Sequence, residues 1–142
     1  MSKPAGKPAA KPGQAARRIV IVDDDLMIRE TVRLSLEHSG FAVHVVEDPA
    51  TALSYIRAEK PDLVVLDMYM GGVDGCEIAR GMKADPSTSK LPVVFFTGSN
   101  EPIDVVTGLD AGALDYIAKP IDGEILVAKI RSILKMPAAA KN

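Results

Sequence analysis

Five short runs of apolar, mostly β-branched residues alternate with amphipathic stretches along the chain: RIVIV near 18–22, FAVHVV near 41–46, DLVVLD near 62–67, PVVFFT near 92–97 and LDYIA near 114–118. Strands that alternate with helix-length segments point to an α/β fold built on a parallel sheet. The central runs are uninterrupted rather than alternating polar and apolar, which suits strands covered by helices on both faces. Right-handed crossovers then leave few topologies for a doubly wound, five-stranded sheet flanked by five helices.

The stretches between the runs carry helix signals. Ile28, Val32 and Leu36 form one stripe of the first helix, which stops before Gly40. Asp48 is placed to cap the second helix, with Pro49 at a position where its missing N–H costs nothing. Asp74 and Glu77 have capping-box spacing at the start of the third. The fourth is expected to follow Asn100, to pack Ile103, Val106 and Leu109, and to end at Gly112. The fifth begins after Asp122 and buries Leu126, Ile130, Ile133 and Leu134.

A chain of 142 residues with 47% hydrophobic side chains has the size and core of one domain. The net charge of −2 conceals an asymmetry. Residues 1–18 hold five basic residues and no acid, so the remainder carries 12 basic against 19 acidic side chains. The leader KPAGKPAAKPG lacks the apolar core of a secretory signal, and residues 1–17 are expected to be a disordered Lys/Pro/Ala-rich segment. The domain is then expected over 18–135, with 136–142 a flexible tail. One cysteine, Cys76, excludes an internal disulfide, and no Cys/His cluster has zinc-ligand spacing. With no long apolar stretch to insert in a membrane, the expectation is a soluble protein of the cytoplasm.

Four of the runs end on groups suited to phosphoryl chemistry: Asp23 and Asp24, Asp67, Thr97, and Lys119. In an open parallel sheet, ligands bind beyond the carboxyl ends of the strands, so these side chains can converge. Two unit charges 4 Å apart interact by about 4 kcal/mol at an effective dielectric near 20, so three converging carboxylates invite a divalent cation. All the available ligands are oxygens, which points to magnesium. The plainer alternative makes the DDD run a solvated turn in which Asp25 caps the following helix. Asp67 follows a wholly apolar strand and precedes the glycine-rich loop MYMGGVDG. Beside a metal it can attack phosphorus and form an aspartyl phosphate, or it can simply ligate the metal. A threonine hydroxyl and a lysine ammonium supply what the oxygens of an acyl phosphate need.

With these motifs in order, residues 18–135 resemble the receiver domain of two-component response regulators. The match is carried by IVIVDDD, LVVLDMYMGGVDG, VVFFTGS and YIAKP. The resemblance implies a flavodoxin-like, CheY-like fold of strand order 2-1-3-4-5. It implies that Asp67 accepts a phosphoryl group from a sensor histidine kinase or a histidine phosphotransfer protein. It further implies that Asp24 and Asp67 ligate Mg2+ directly, Asp23 through water, and the backbone carbonyl of Tyr69 completes the protein ligands. Lys119 would contact the phosphoryl group, Thr97 would swing toward it, and Tyr116 matches the family's switch aromatic. The downstream protein target would read the face made by the fourth helix, fifth strand and fifth helix. Neither direct nucleic-acid binding nor membrane insertion is expected.

The chain departs from the family where many members have proline and this one has Gly71, which loosens the MYMGG loop. Tyr69 and Ser99 stand where rapidly dephosphorylating members hold an amide or acid, so slow self-dephosphorylation is expected. A rival enzyme reading, a haloacid-dehalogenase-like aspartyl phosphatase, requires an aspartate two residues after the nucleophile, where this chain has Tyr69. A pseudo-receiver reading is opposed by the presence of all five polar side chains. No effector motif follows residue 135, which favours a stand-alone switch over a fragment of a longer regulator. His38, His44 and Cys76 are read as structural.

Overall fold

The computed structural model describes residues 16–70, 72–97, 109–119 and 122–136. Its elements run β1 (Arg18–Val22), α1 (Leu26–His38), β2 (Ala42–Val46), a 3-10 turn (Pro49–Thr51) leading into α2 (Ala52–Glu59), and β3 (Leu63–Asp67). They continue with β4 (Tyr69–Met70), β5 (Val73–Asp74), α3 (Gly75–Ala84), β6 (Val93–Thr97), β7 (Asp115–Ala118) and α4 (Gly123–Ile133). The sheet order is β2-β1-β3-β6-β7, with every pairing parallel. Counting only these five strands, that is the expected 2-1-3-4-5.

Alternate strand residues feed two core layers. Val20, Val22, Val64, Leu66, Val93 and Phe95 pack toward α2 and α3. Ile19, Ile21, Leu63, Val65, Val94 and Phe96 pack toward α1 and α4. Each fully buried apolar side chain contributes about 1.5–3 kcal/mol, and with the cavity left behind, truncating Phe96, which has no exposed surface, would cost about 3–5 kcal/mol.

Local signals set the helix ends. Asp25 accepts from the Met27 and Ile28 N–H groups at 2.9 and 3.2 Å, satisfying donors that α1 cannot pair internally. At its other end Gly40 takes φ 96°, and Gly40 and Phe41 donate back to Glu37 and Leu36. That left-handed stop needs glycine, and it drops Phe41 into the core beside Leu36. Asp48 caps the 3-10 turn rather than an α-helical turn, accepting from Ala50 at 3.0 Å. Asp74 and Asp122 cap α3 and α4.

One expectation lies outside the described residues and one is corrected. Four of the five expected helices are present among the described residues, and the expected fourth falls mainly on residues 98–108, outside them. Its expected end is seen: Leu109 and Asp110 are helical and Gly112 follows at φ 109°. Leu109 is 44% exposed rather than packed, since Ala111 and Ala113 take the inward positions there. The sequence also gave no sign of the β4–β5 ribbon, where Tyr69 pairs with Asp74 and Met70 with Val73.

Candidate functional site at the carboxyl ends of the strands

In-register parallel pairing brings the ends of β1, β3, β6 and β7 side by side. Asp67 closes β3, and Asp23 follows the last residue of β1. Oxygens of Asp23, Asp24 and Asp67 lie within 4.8 Å of one another. Asp23 is fully buried and Asp67 is 5% exposed, whereas Asp24 is exposed. The acidic pair thus brings one buried and one solvent-exposed carboxylate to the same cluster.

Asp23 is held from several directions. Its Oδ1 accepts the Asp25 N–H at 2.9 Å, and its backbone carbonyl accepts from Arg29 Nη1 at 3.2 Å. Its Oδ2 is buried and accepts no well-aligned hydrogen bond among the described residues. Lys119 Nζ faces that oxygen as a charge pair at 3.2 Å, and the same ammonium donates to Asp67 Oδ2 at 3.2 Å. The other Asp67 oxygen accepts the Tyr69 N–H at 3.3 Å. A buried, under-satisfied carboxylate oxygen in an all-oxygen cluster fits a hard divalent cation.

The electrostatics follow from this crowding. Burial, then the Asp23 charge, push Asp67 up from 3.8 to about 6, outweighing Lys119 and the Tyr69 N–H. Burial pulls the Lys119 ammonium down, but Asp23 and Asp67 together leave it above its ordinary value. The site therefore carries excess negative charge that a single lysine does not cancel.

Thr97 ends β6 at 1% exposure and pairs with Ala118. Its carbonyl accepts the Lys119 N–H at 2.8 Å, so threonine and lysine are tied through their backbones. Tyr69 is 56% exposed at the mouth. Tyr116 does not join the carboxylate cluster; it sits opposite Phe95 and packs half-buried on the α2–α3 side of the sheet.

The three residues first read as structural remain apart from the site. Cys76 is buried, His38 lies in the last turn of α1, and His44 stacks on Tyr55 at 4.2 Å between ring centroids. Two contacts were missed in the sequence. Arg29 lies one helical turn beyond Asp25, where only the fold reveals its reach to Asp23. Gly75 approaches the Asp67 backbone, and the only trace of this in the sequence is a glycine directly after the cap Asp74.

Residues 19–131 match the response regulator receiver domain family. The chain is 44% identical over 117 residues to the transcriptional regulatory protein CseB of Streptomyces coelicolor, covering 82% of this chain and 49% of that protein. It is 40% identical over 119 residues to the DNA-binding response regulator MtrA of Mycobacterium tuberculosis, covering 84% and 51%. The chain thus spans about half the length of these relatives. Among solved structures, a response regulator from Chloroflexus aurantiacus superposes with a TM-score of 0.82 at 30% identity, covering 85% of this chain and 99% of that one. The chemotaxis regulator CheY4 of Vibrio cholerae shares the fold at a TM-score of 0.78 and 23% identity, covering 84% and 99%. With the strand order, the acidic cluster and these likenesses in agreement, the chain belongs to the response regulator receiver domains, the phosphorylation-activated switches of two-component signal transduction.

Proposed function

We propose that Asp67 is the phosphoacceptor of this receiver and that a phosphohistidine, on a sensor histidine kinase or a histidine phosphotransfer protein, is the donor. An Asp67 oxygen attacks phosphorus, the phosphorus–nitrogen bond breaks, and the imidazole leaves with the bonding electron pair and is reprotonated. Water later hydrolyses the acyl phosphate, restoring the carboxylate. The domain promotes both steps on itself without turning over a separate substrate, so we read it as a switch rather than an enzyme.

The observation that carries this reading is the Lys119 ammonium, 3.2 Å from both Asp23 and Asp67. It would keep Asp23 while turning to a phosphoryl oxygen as charge builds there. Magnesium suits the oxygen cluster: Asp24 and Asp67 would hold it directly, Asp23 through water, and the Tyr69 backbone carbonyl would complete the protein's share. Bound there, it would offset the carboxylates and polarise the phosphoryl oxygens. The Thr97 hydroxyl would donate to a second phosphoryl oxygen, and Tyr116 would follow its movement.

A phosphoryl group shifts such a switch only by binding one arrangement better than the other, here through Thr97 and Lys119. The output would be a changed protein-binding face formed by β7, α4 and the segment before β7. Exposed Leu109 and Leu114, in the segment leading into β7, support that choice. No direct nucleic-acid contact is proposed for the domain itself. A second reading of the output is favoured by the half-length match to CseB and MtrA: a receiver joined to an effector module. The protein would work in the cytoplasm, and no helix among the described residues is long and apolar enough to cross a membrane.

The test is to add magnesium and beryllofluoride, a phosphoryl mimic, and follow backbone NMR shifts in wild type and Asp67→Asn. Shifts at Thr97 and Tyr116 in wild type alone are expected. Identical responses in both proteins would overturn the reading.

A further inference from the structure

Gly75 opens α3 without adopting a positive φ, so it is not needed there for backbone freedom. What it supplies is space. A Cβ at this position would lie 2.2 Å from the backbone oxygen of Asp67, 3.1 Å from its carbonyl carbon and 3.2 Å from Met68 Cα. All three are backbone atoms, which cannot rotate aside. Gly81, in the same helix, offers the contrast: a Cβ there would meet Leu53 Cδ2 at 2.6 Å, the far end of a side chain that can turn away.

The close approach is also a bonded one. The Gly75 N–H donates to the Met68 carbonyl at 2.9 Å, clamping the start of α3 onto the residue that follows Asp67. One residue earlier, Asp74 pairs with Tyr69 in the β4–β5 ribbon, and the Tyr69 N–H returns to Asp67 Oδ1 at 3.3 Å. The segment Asp67–Tyr69 is therefore held along its length by Asp74 and Gly75.

We propose that Gly75 is a positioning residue for phosphoryl acceptance. Its missing side chain lets the N-terminus of α3 lock the Asp67–Tyr69 backbone, and with it the Asp67 carboxylate and the Tyr69 carbonyl that would hold the cation. The role rests on the magnesium-dependent reading above and acts through Asp67 and Tyr69, not through contact with the phosphoryl group. A methyl group at residue 75 would push these two ligands apart while leaving the rest of the sheet in place.

The experiment compares Gly75→Ala with Gly81→Ala in the full chain, measuring the melting temperature and the magnesium dissociation constant of each by calorimetric titration. Displaced support of a metal ligand weakens affinity by about tenfold or more, and Gly75→Ala is expected to do so. Gly81→Ala, whose methyl meets only the movable end of Leu53, should stay folded and bind magnesium like wild type. Wild-type affinity in Gly75→Ala, or affinity losses that track the melting temperatures of both variants, would overturn the proposal. Should Gly75→Ala fail to fold, Asp74→Ala is compared with Asp62→Ala, which removes a hydrogen bond to Arg18 at the opposite, amino ends of the strands. Weaker magnesium binding in Asp74→Ala alone would support the clamp, and equal behaviour of the two would reject it. A wild-type protein that binds no magnesium would defeat the functional reading itself, whereas tight wild-type binding with an unaffected Gly75→Ala removes only the role of Gly75.

Discussion

Lys119 Nζ lies 3.2 Å from Asp67 Oδ2, an ion pair that joins two strand ends 52 residues apart in the chain. The same ammonium faces the fully buried Asp23, so one cation offsets two carboxylates. Removing it leaves both uncompensated. Lys119→Met should destabilise the metal-free protein at neutral pH by about 2–4 kcal/mol, toward the lower end because Lys119 retains some solvent contact. Urea unfolding in the presence of a chelator measures this, and added magnesium should narrow the gap. An unchanged midpoint would show that the pair carries little.

Asp67 makes stability depend on pH. Burial and the Asp23 charge raise its carboxyl from 3.8 to about 6. Between those values the native state keeps a proton that the unfolded chain has lost, so metal-free stability falls as pH rises from about 4 to about 6 and remains lower above. The difference amounts to about 3 kcal/mol at most. Asp67→Asn should therefore be the more stable protein at neutral pH, with the advantage vanishing below pH 4 or so. Chelator-treated unfolding curves across this range check the sign, and an Asp67→Asn protein less stable than wild type at neutral pH would refute it.

The three consecutive aspartates should separate by role under magnesium. At ten times its dissociation constant, a ligand that binds only the native state adds about 1.4 kcal/mol. Asp23→Asn and Asp24→Asn should abolish that gain in a thermal-shift titration. Asp25→Ala should keep it while losing about 1 kcal/mol of baseline stability with the α1 cap.

Most of this division was legible in the sequence. The β-branched runs announced the parallel sheet, and their polar ends announced the site, because the period of the strand and the direction of a parallel sheet leave little choice. Asp25 and Asp74 showed as caps for equally local reasons. What stayed hidden depends on tertiary approach. The β4–β5 ribbon is two residues per strand inside a glycine-rich loop and has no periodicity to detect. The Gly75 contact exists only because α3 starts against the Asp67 carbonyl. Leu109 reads as core in a helical stripe, and only the inward turn of Ala111 and Ala113 shows why it is exposed.

Tyr69 stands at the mouth of the site, with its N–H on Asp67 Oδ1 and more than half its surface in solvent. It supplies no carboxylate or amide to orient an attacking water, so the aspartyl phosphate should persist. Tyr69→Ala should shorten the lifetime by opening the phosphorus to water, as followed by loss of the phosphorylated species after the donor is removed. A lifetime of only seconds, unchanged in Tyr69→Ala, would contradict this.

The central claim is that Asp67 takes the phosphoryl group with a divalent cation beside it. Intact-protein mass spectrometry after incubation with acetyl phosphate and magnesium tests it most directly. The account predicts one added phosphoryl group on wild type and on Asp25→Ala, and none on Asp67→Asn or on wild type treated with chelator. Equal phosphorylation of Asp67→Asn, or no phosphorylation of wild type, would contradict it.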